Sequence, residues 1–151
     1  MTSIRRQISI ACPPTKVFEV LADVERLAEF SHMTVGIANG PGRAVQVGDR
    51  FDQVVKVLHL ELDTEWEVTD VVADERIRVE GRSKANGSAS VTQHIAPQGD
   101  GSLVTFDVEY DPPFGILGDI ADKAVFEKRH EHDAEQILAS LKALCEGVPA
   151  G

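Results

Sequence analysis

Glu127 and Glu131 stand four residues apart in a stretch of helical periodicity, so both carboxylates fall on one side of the same helix. Like charges at this spacing repel, and if both lay under a sheet one would stay protonated or find a cation. Such a carboxyl could act as a general acid or base on a bound carbonyl or enol. The alternative is a helix that crosses a water-filled opening with both carboxylates solvated. Beside them, His130, Glu131, His132 and Asp133 are all metal-ligating types. Neighbouring and i+2 positions on a helix point in different directions, and the HExxH spacing is absent, so no metal site is expected. A solvated charged face is the simpler reading, and nothing in the chain calls for a cofactor. His32, His59 and His94 stand alone, with no acid placed by sequence to form a triad. Asn39-Gly40-Pro41-Gly42 lacks phosphate-binding GxGxxG spacing.

The helix that must carry the two glutamates runs from Pro113 to Glu146, after the turn signal Asp111-Pro112-Pro113. Leu117, Ile120, Ala124, Ala134, Leu138, Leu141 and Cys145 form its apolar stripe, interrupted by Glu127 and Glu131. Gly147 and Pro149 supply the stop. Upstream, Ile4 to Cys12 alternates as a first strand, with Arg6, Ile8, Ile10 and Cys12 on one side. Pro13-Pro14-Thr15 opens a helical segment that reaches about Phe30 and is breakable at Asp23. Residues 31–39 read as irregular or as a short strand, followed by the Asn39–Gly42 turn. Period two then governs Arg50–Leu58, Leu60–Val72, Arg76–Arg82, Ser88–Ile95 and Leu103–Tyr110, joined by short turns. Only the turn near His59 lacks Gly, Pro or Asn. Strands in a run with helices set apart point to an α+β fold, a curved antiparallel sheet of six to seven strands around one long helix.

With 151 residues, the chain is long enough for one domain, taken as 1–151, with a real core. A net charge of −10 argues against nucleic acid and against an anionic membrane surface as partners. No apolar run is long enough for membrane insertion. Arg5 and Arg6 are followed by no secretory apolar region, so the expected address is the cytoplasm. There the Asn86-Gly87-Ser88 sequon has no meaning. Cys12 and Cys145 sit in apolar patterns and read as buried small hydrophobes rather than a disulfide.

Period-two bookkeeping gives the sheet two unlike faces. One carries Glu61, Asp63, Glu65 and Glu67 beside Arg76, Arg78, Glu80 and Arg82, an outer face of exposed pairs. The other carries Phe51, Gln53, Val55, Val57, Leu62, Thr64, Trp66, Val68, Ile77 and Val79. It continues through Ala89, Val91, Gln93, Ile95, Val104, Phe106, Val108 and Tyr110. These five strands put no ionisable Asp, Glu, Lys, Arg or His on that inner face, and its polar groups are Gln53, Thr64, Gln93 and Tyr110. An apolar wall with a few placed polar groups suits a small-molecule site; a solid core with those groups bonded to neighbours is the alternative.

The passage Ile8-Ser9-Ile10-Ala11-Cys12-Pro13-Pro14-Thr15-Lys16-Val17-Phe18-Glu19-Val20-Leu21-Ala22-Asp23 resembles the opening of START-like (SRPBCC) proteins. Val47-Gly48-Asp49-Arg50-Phe51, Trp66-Glu67-Val68-Thr69 and Gly101-Ser102-Leu103-Val104-Thr105-Phe106 extend the likeness, nearest to the polyketide cyclase/dehydrase and lipid-transport branch. The resemblance spans essentially the whole chain through structural rather than catalytic motifs. It implies a helix-grip fold with a cavity between curved sheet and C-terminal helix. Members include hydrophobic-ligand carriers, aromatase/cyclases and hormone receptors, with no universal catalytic residue to transfer.

The first expectation is therefore a protein that binds a lipid, polyketide or aromatic metabolite. Phe51, Trp66, Val68, Val79 and Phe106 would form walls, and Gln53, Thr64, Gln93 and Tyr110 would orient polar groups. The 111–118 segment, with Phe114 and Leu117, would make a lip over the mouth. The second is a cyclase or dehydratase using Glu127 or Glu131 for proton transfer. The third is an interaction module without ligand, and a homodimer is the assembly left open.

Overall fold

The computed structural model describes residues 2–57, 60–83, 87–111 and 123–147. Strand β1 (Thr2–Ile10) leads into helix α1 (Pro14–Ala22), whose Pro14 lies in the first turn, where no intrahelical N–H is needed. Asp23 ends α1 in an extended conformation, and a single 3₁₀ turn (Val24–Arg26) and short α2 (Leu27–Phe30) follow. The expected break at Asp23 is thus present. Residues 34–38 form a strand, β2 (Thr34–Ala38), and Asn39 turns away from it with φ of 57°.

The meander is β3 (Arg50–Val57), β4 (Leu60–Val72), β5 (Arg76–Ser83), β6 (Ser88–Gln98) and β7 (Gly101–Asp111). The expected turn between β4 and β5 holds Asp74 at φ 63°, a left-handed position that Asp tolerates. The turn near His59 lies outside the described residues, as do residues 84–86 of the β5–β6 turn. All pairings are antiparallel, in the order β1-β7-β6-β5-β4-β3-β2. Helix α3 (Lys123–Glu146) packs against β1 and α2, giving the helix-grip arrangement. Ala134, Leu138, Leu141 and Cys145 are buried along one stripe, as their spacing demands, and Gly147 stops the helix at φ 73°. Leu117 and Ile120 lie outside the described residues, as does the side chain of Ala124.

Pleat and register turn strand alternation into rows across the inner face. One row is Phe51, Trp66, Gly81, Ala89 and Tyr110, each the register partner of the next. Another is Val68, Val79, Val91, Val108 and Ile4; a third is Val71, Ile77, Gln93, Phe106 and Arg6. A bulge between Val68 and Asp70 keeps Val71 on the inner side while Asp70 turns out towards Arg76. The outer face carries the expected charges, with Glu65 opposite Arg82 and Asp70 opposite Arg78, although Glu67 faces Glu80.

Burial falls into two clusters. The larger joins Val17, Val20 and Leu21 of α1, Val68, Ile77, Ile95 and Val104 of the sheet, and Leu138, Leu141 and Cys145 of α3. The smaller joins Ile4, Tyr110 and Ala134, with Leu62, Ala89 and Val108 against it. Each fully buried Leu or Val contributes roughly 1.5–3 kcal/mol, so the larger cluster anchors the C-terminal half of α3 to the sheet.

Candidate functional site

A pocket of about 270 Å³ opens between the two clusters, lined by members of both. Its floor is the inner face of β3 to β7 together with Ile4 of β1. One wall comes from Leu21, Val24, Leu27, Phe30, Ser31 and Met33, and the roof from His130, Asp133, Ala134 and Ile137 of α3. The residues named from the sequence as Phe51, Gln53, Thr64, Trp66, Val79, Gln93, Phe106 and Tyr110 all lie on this lining. Val68 does not: it is fully buried in the larger cluster, with its backbone bonded to Gly48 and Asp49. Phe114 and Leu117 lie outside the described residues.

The polar groups of the floor are partly engaged with one another. Trp66 Nε1–H donates to Gln53 Oε1 at 2.8 Å, and Gln53 Nε2 donates to Thr34 Oγ1 at 2.7 Å. Phe51 stacks beside Trp66 with centroids 6.5 Å apart. The indole is thus fixed from its edge and from one side. Its other neighbour is Gly81, a pocket-lining residue that the periodicity argument had not singled out.

Glu131, one of the two carboxylates considered for proton transfer, is placed at the edge of α3. Its Oε2 lies 3.2 Å from Arg6 Nη2, and Arg6 Nε also reaches Glu135 Oε1 at 3.2 Å. Glu131 therefore has a cationic partner, supplied by β1, and a solvated position beside it. Glu131 does not line the pocket. Glu127 falls within α3, but its side chain lies outside the described residues.

The residues sequence reasoning had left on a solvated face are the ones that reach inward. His130 packs its ring on Tyr110 with centroids 4.5 Å apart, and burial pushes its imidazole below the ordinary 6.5. Asp133 Oδ1 lies 2.9 Å from His32 Nε2, within hydrogen-bond distance, joining α3 to the link between α2 and β2. His32 therefore does not stand alone, and neither does His94, which lies 3.1 Å from Asp107. A signal for His130 existed: it sits four residues before Ala134, in phase with the buried stripe. His32 and Asp133 are 101 positions apart, and no local pattern could have joined them. Among the described residues, no three His, Cys, Asp or Glu side chains gather as a metal site.

Comparison with known proteins places this geometry in context. The sequence profile described as "Polyketide cyclase / dehydrase and lipid transport" matches residues 1–146. A START superfamily protein from Mycobacterium smegmatis superposes with a TM-score of 0.75 at 13% identity, covering 96% of this chain and 97% of that one. A protein from Thermus thermophilus gives 0.72 at 20% identity, over 97% and 98%. One from Chromobacterium violaceum gives 0.69 at 21%, over 95% and 96%. At these identities the likeness is one of fold. A search of curated sequences returns no match. Among the described residues, no helix is long and apolar enough to cross a membrane.

Proposed function

Because the chain belongs to the polyketide cyclase/dehydrase and lipid-transport family, we propose that it binds a hydrophobic small molecule between the sheet and α3. The observation that carries the reading is the pocket itself, about 270 Å³ of space with predominantly apolar walls and a few polar groups. Phe51, Trp66, Val79 and Phe106 supply walls; Thr64, Gln93 and Tyr110 offer hydrogen bonds to a guest. Gln53 acts mainly by holding the Trp66 indole, since its amide already serves Trp66 and Thr34.

The test is binding of Nile red, an uncharged solvatochromic dye, together with native mass spectrometry of the purified protein. Saturable, blue-shifted dye emission is expected, and Val91→Trp, which fills the pocket floor, should abolish it. Absence of saturable binding by the folded wild-type protein would overturn the proposal. The second reading, a cyclase or dehydratase using Glu127 or Glu131, is weakened at Glu131 by the Arg6 ion pair and leans on Glu127.

A further inference from the structure

The described ionisable groups on the pocket lining include no permanent cation. Asp133 and Asp111 are acids, and Tyr110 and His130 bring a phenol and an imidazole. Among the described lining residues there is no Lys or Arg. Arg6, the cation on the inner side of β1, is held by Glu131 and Glu135 and does not line the pocket. His130 is driven towards its neutral form by burial, so it offers an anion a hydrogen bond but no charge.

Asp133 is the group with most consequence, because its side chain is only 15% exposed and sits in the roof. His32 meets one of its oxygens, and a carboxylate accepts at both. A second carboxylate brought into this apolar space would lose its hydration and face Asp133, and no described lining residue is a lysine or arginine that would offset either cost. A hydroxyl or ammonium would instead find an acceptor.

We infer that the pocket selects an apolar molecule whose polar group donates hydrogen bonds, a hydroxyl or an amine, and discriminates against a carboxylate head. The inference rests on the hydrophobic-ligand reading above and deepens it. Asp133 is its specificity-determining residue, with Tyr110 and His130 beside it. A fatty-acid anion is accordingly a poor ligand, and an apolar alcohol, phenol or amine a good one.

The experiment displaces bound Nile red with 1-decanol, decylamine and decanoate at pH 7.5, three molecules alike in body and different in head. Decanol and decylamine are expected to displace the dye at concentrations about tenfold or more below decanoate, a ratio equivalent to about 1.4 kcal/mol. In Asp133→Asn the advantage of decylamine over decanol should disappear and decanoate should gain severalfold. Displacement by decanoate as effective as that by decanol in the wild type overturns the head-group inference and leaves the pocket reading standing. An unchanged ranking in a folded Asp133→Asn overturns the role given to Asp133. Failure of Nile red to bind at all removes the pocket reading, and this inference with it.

Discussion

Trp66 and Gly81 are direct cross-strand partners, and the indole lies where a side chain at 81 would have to go. A Cβ built on Gly81 would stand 2.5 Å from Trp66 Cε3, closer than carbon atoms approach. Glycine here is required by the ring and not by a turn, since it sits in the middle of β5. Gly81→Ala should push the indole off its hydrogen bond to Gln53 and cost about 1–3 kcal/mol, the usual penalty of overpacking. Urea unfolding measures the loss. Trp66 is the single tryptophan, so its emission reports the displacement directly. Unchanged stability with unchanged emission would mean the ring is not confined by the strand beneath it.

The edge of the same ring gives a second expectation. Removing the Gln53 amide in Gln53→Ala leaves the half-buried Trp66 N–H and the buried Thr34 hydroxyl without the partners they have now. A loss of about 1–3 kcal/mol follows for each group left unsatisfied, although water admitted by the smaller side chain can reduce it. Thermal melts of Gln53→Ala, Trp66→Phe and the double variant form the appropriate cycle. Coupling below about 0.3 kcal/mol would show that the bond contributes nothing of its own.

Strand alternation made the sheet and the floor of the pocket readable from the sequence. Leu60–Val72 is the strand its pattern predicts, and the side chains assigned inward from Phe51 to Tyr110 form the observed rows. Two things were not readable. Val68 and Val79 share a row, yet Val68 is fully buried in the cluster that α1 and α3 build on the sheet, while Val79 lines open space. Coverage of a face depends on where the helices sit on it, and period two carries no such information. The phase of α3 was the other. Its stripe runs cleanly from Ala134 to Cys145, but two backward continuations, through Glu131 or His130, are compatible with 3.6 residues per turn. Packing on Tyr110 selects His130, and Arg6 draws Glu131 to the side.

His130 also gives stability a pH dependence with a definite sign. Its folded pKa lies below the ordinary 6.5 because burial penalises the imidazolium, with Asp133 opposing and Arg129 reinforcing that effect. The unfolded chain therefore binds the proton more readily, and the neutral ring's contribution to stability is present above 6.5. It is lost as pH falls through the lower folded value. Chemical denaturation between pH 7.5 and 5 should show declining stability that flattens in His130→Gln. NMR titration of the imidazole should place its midpoint below 6.5. A midpoint above that value would contradict the buried placement.

At the alkaline end the relevant group is Cys145, fully buried beneath β1, with its carbonyl accepting from Cys12 Sγ–H. Burial, assisted by Cys12, pushes the thiol from the ordinary 9.0 up to about 11. The protonated thiol stabilises the fold fully below pH 9, and that contribution is lost as pH rises towards 11. The window corresponds to on the order of 2 kcal/mol. Cys145→Ala should remove the alkaline decline while adding a modest constant cost from the smaller side chain. Thiol alkylation at pH 8 should be slow in the native state and fast in urea; rapid native labelling of Cys145 would show that the α3 C-terminus opens readily.

The Arg6 bridge separates the two functional readings. Arg6 is 34% exposed and Glu131 44%, so water screens the pair, and Arg6→Ala should cost no more than about 1 kcal/mol. Glu131→Gln keeps the shape of the side chain and removes the charge from a position outside the pocket lining. A binding protein predicts Nile red affinity within about twofold of wild type in both Glu131→Gln and Arg6→Ala, because neither residue touches the pocket space. An enzyme that uses Glu131 predicts that Glu131→Gln loses turnover while dye affinity holds, and that Arg6→Ala shifts the pH profile of the remaining activity. A large affinity loss in Glu131→Gln alone would mean that the carboxylate reaches the guest, which its ion pair with Arg6 does not permit in this structure.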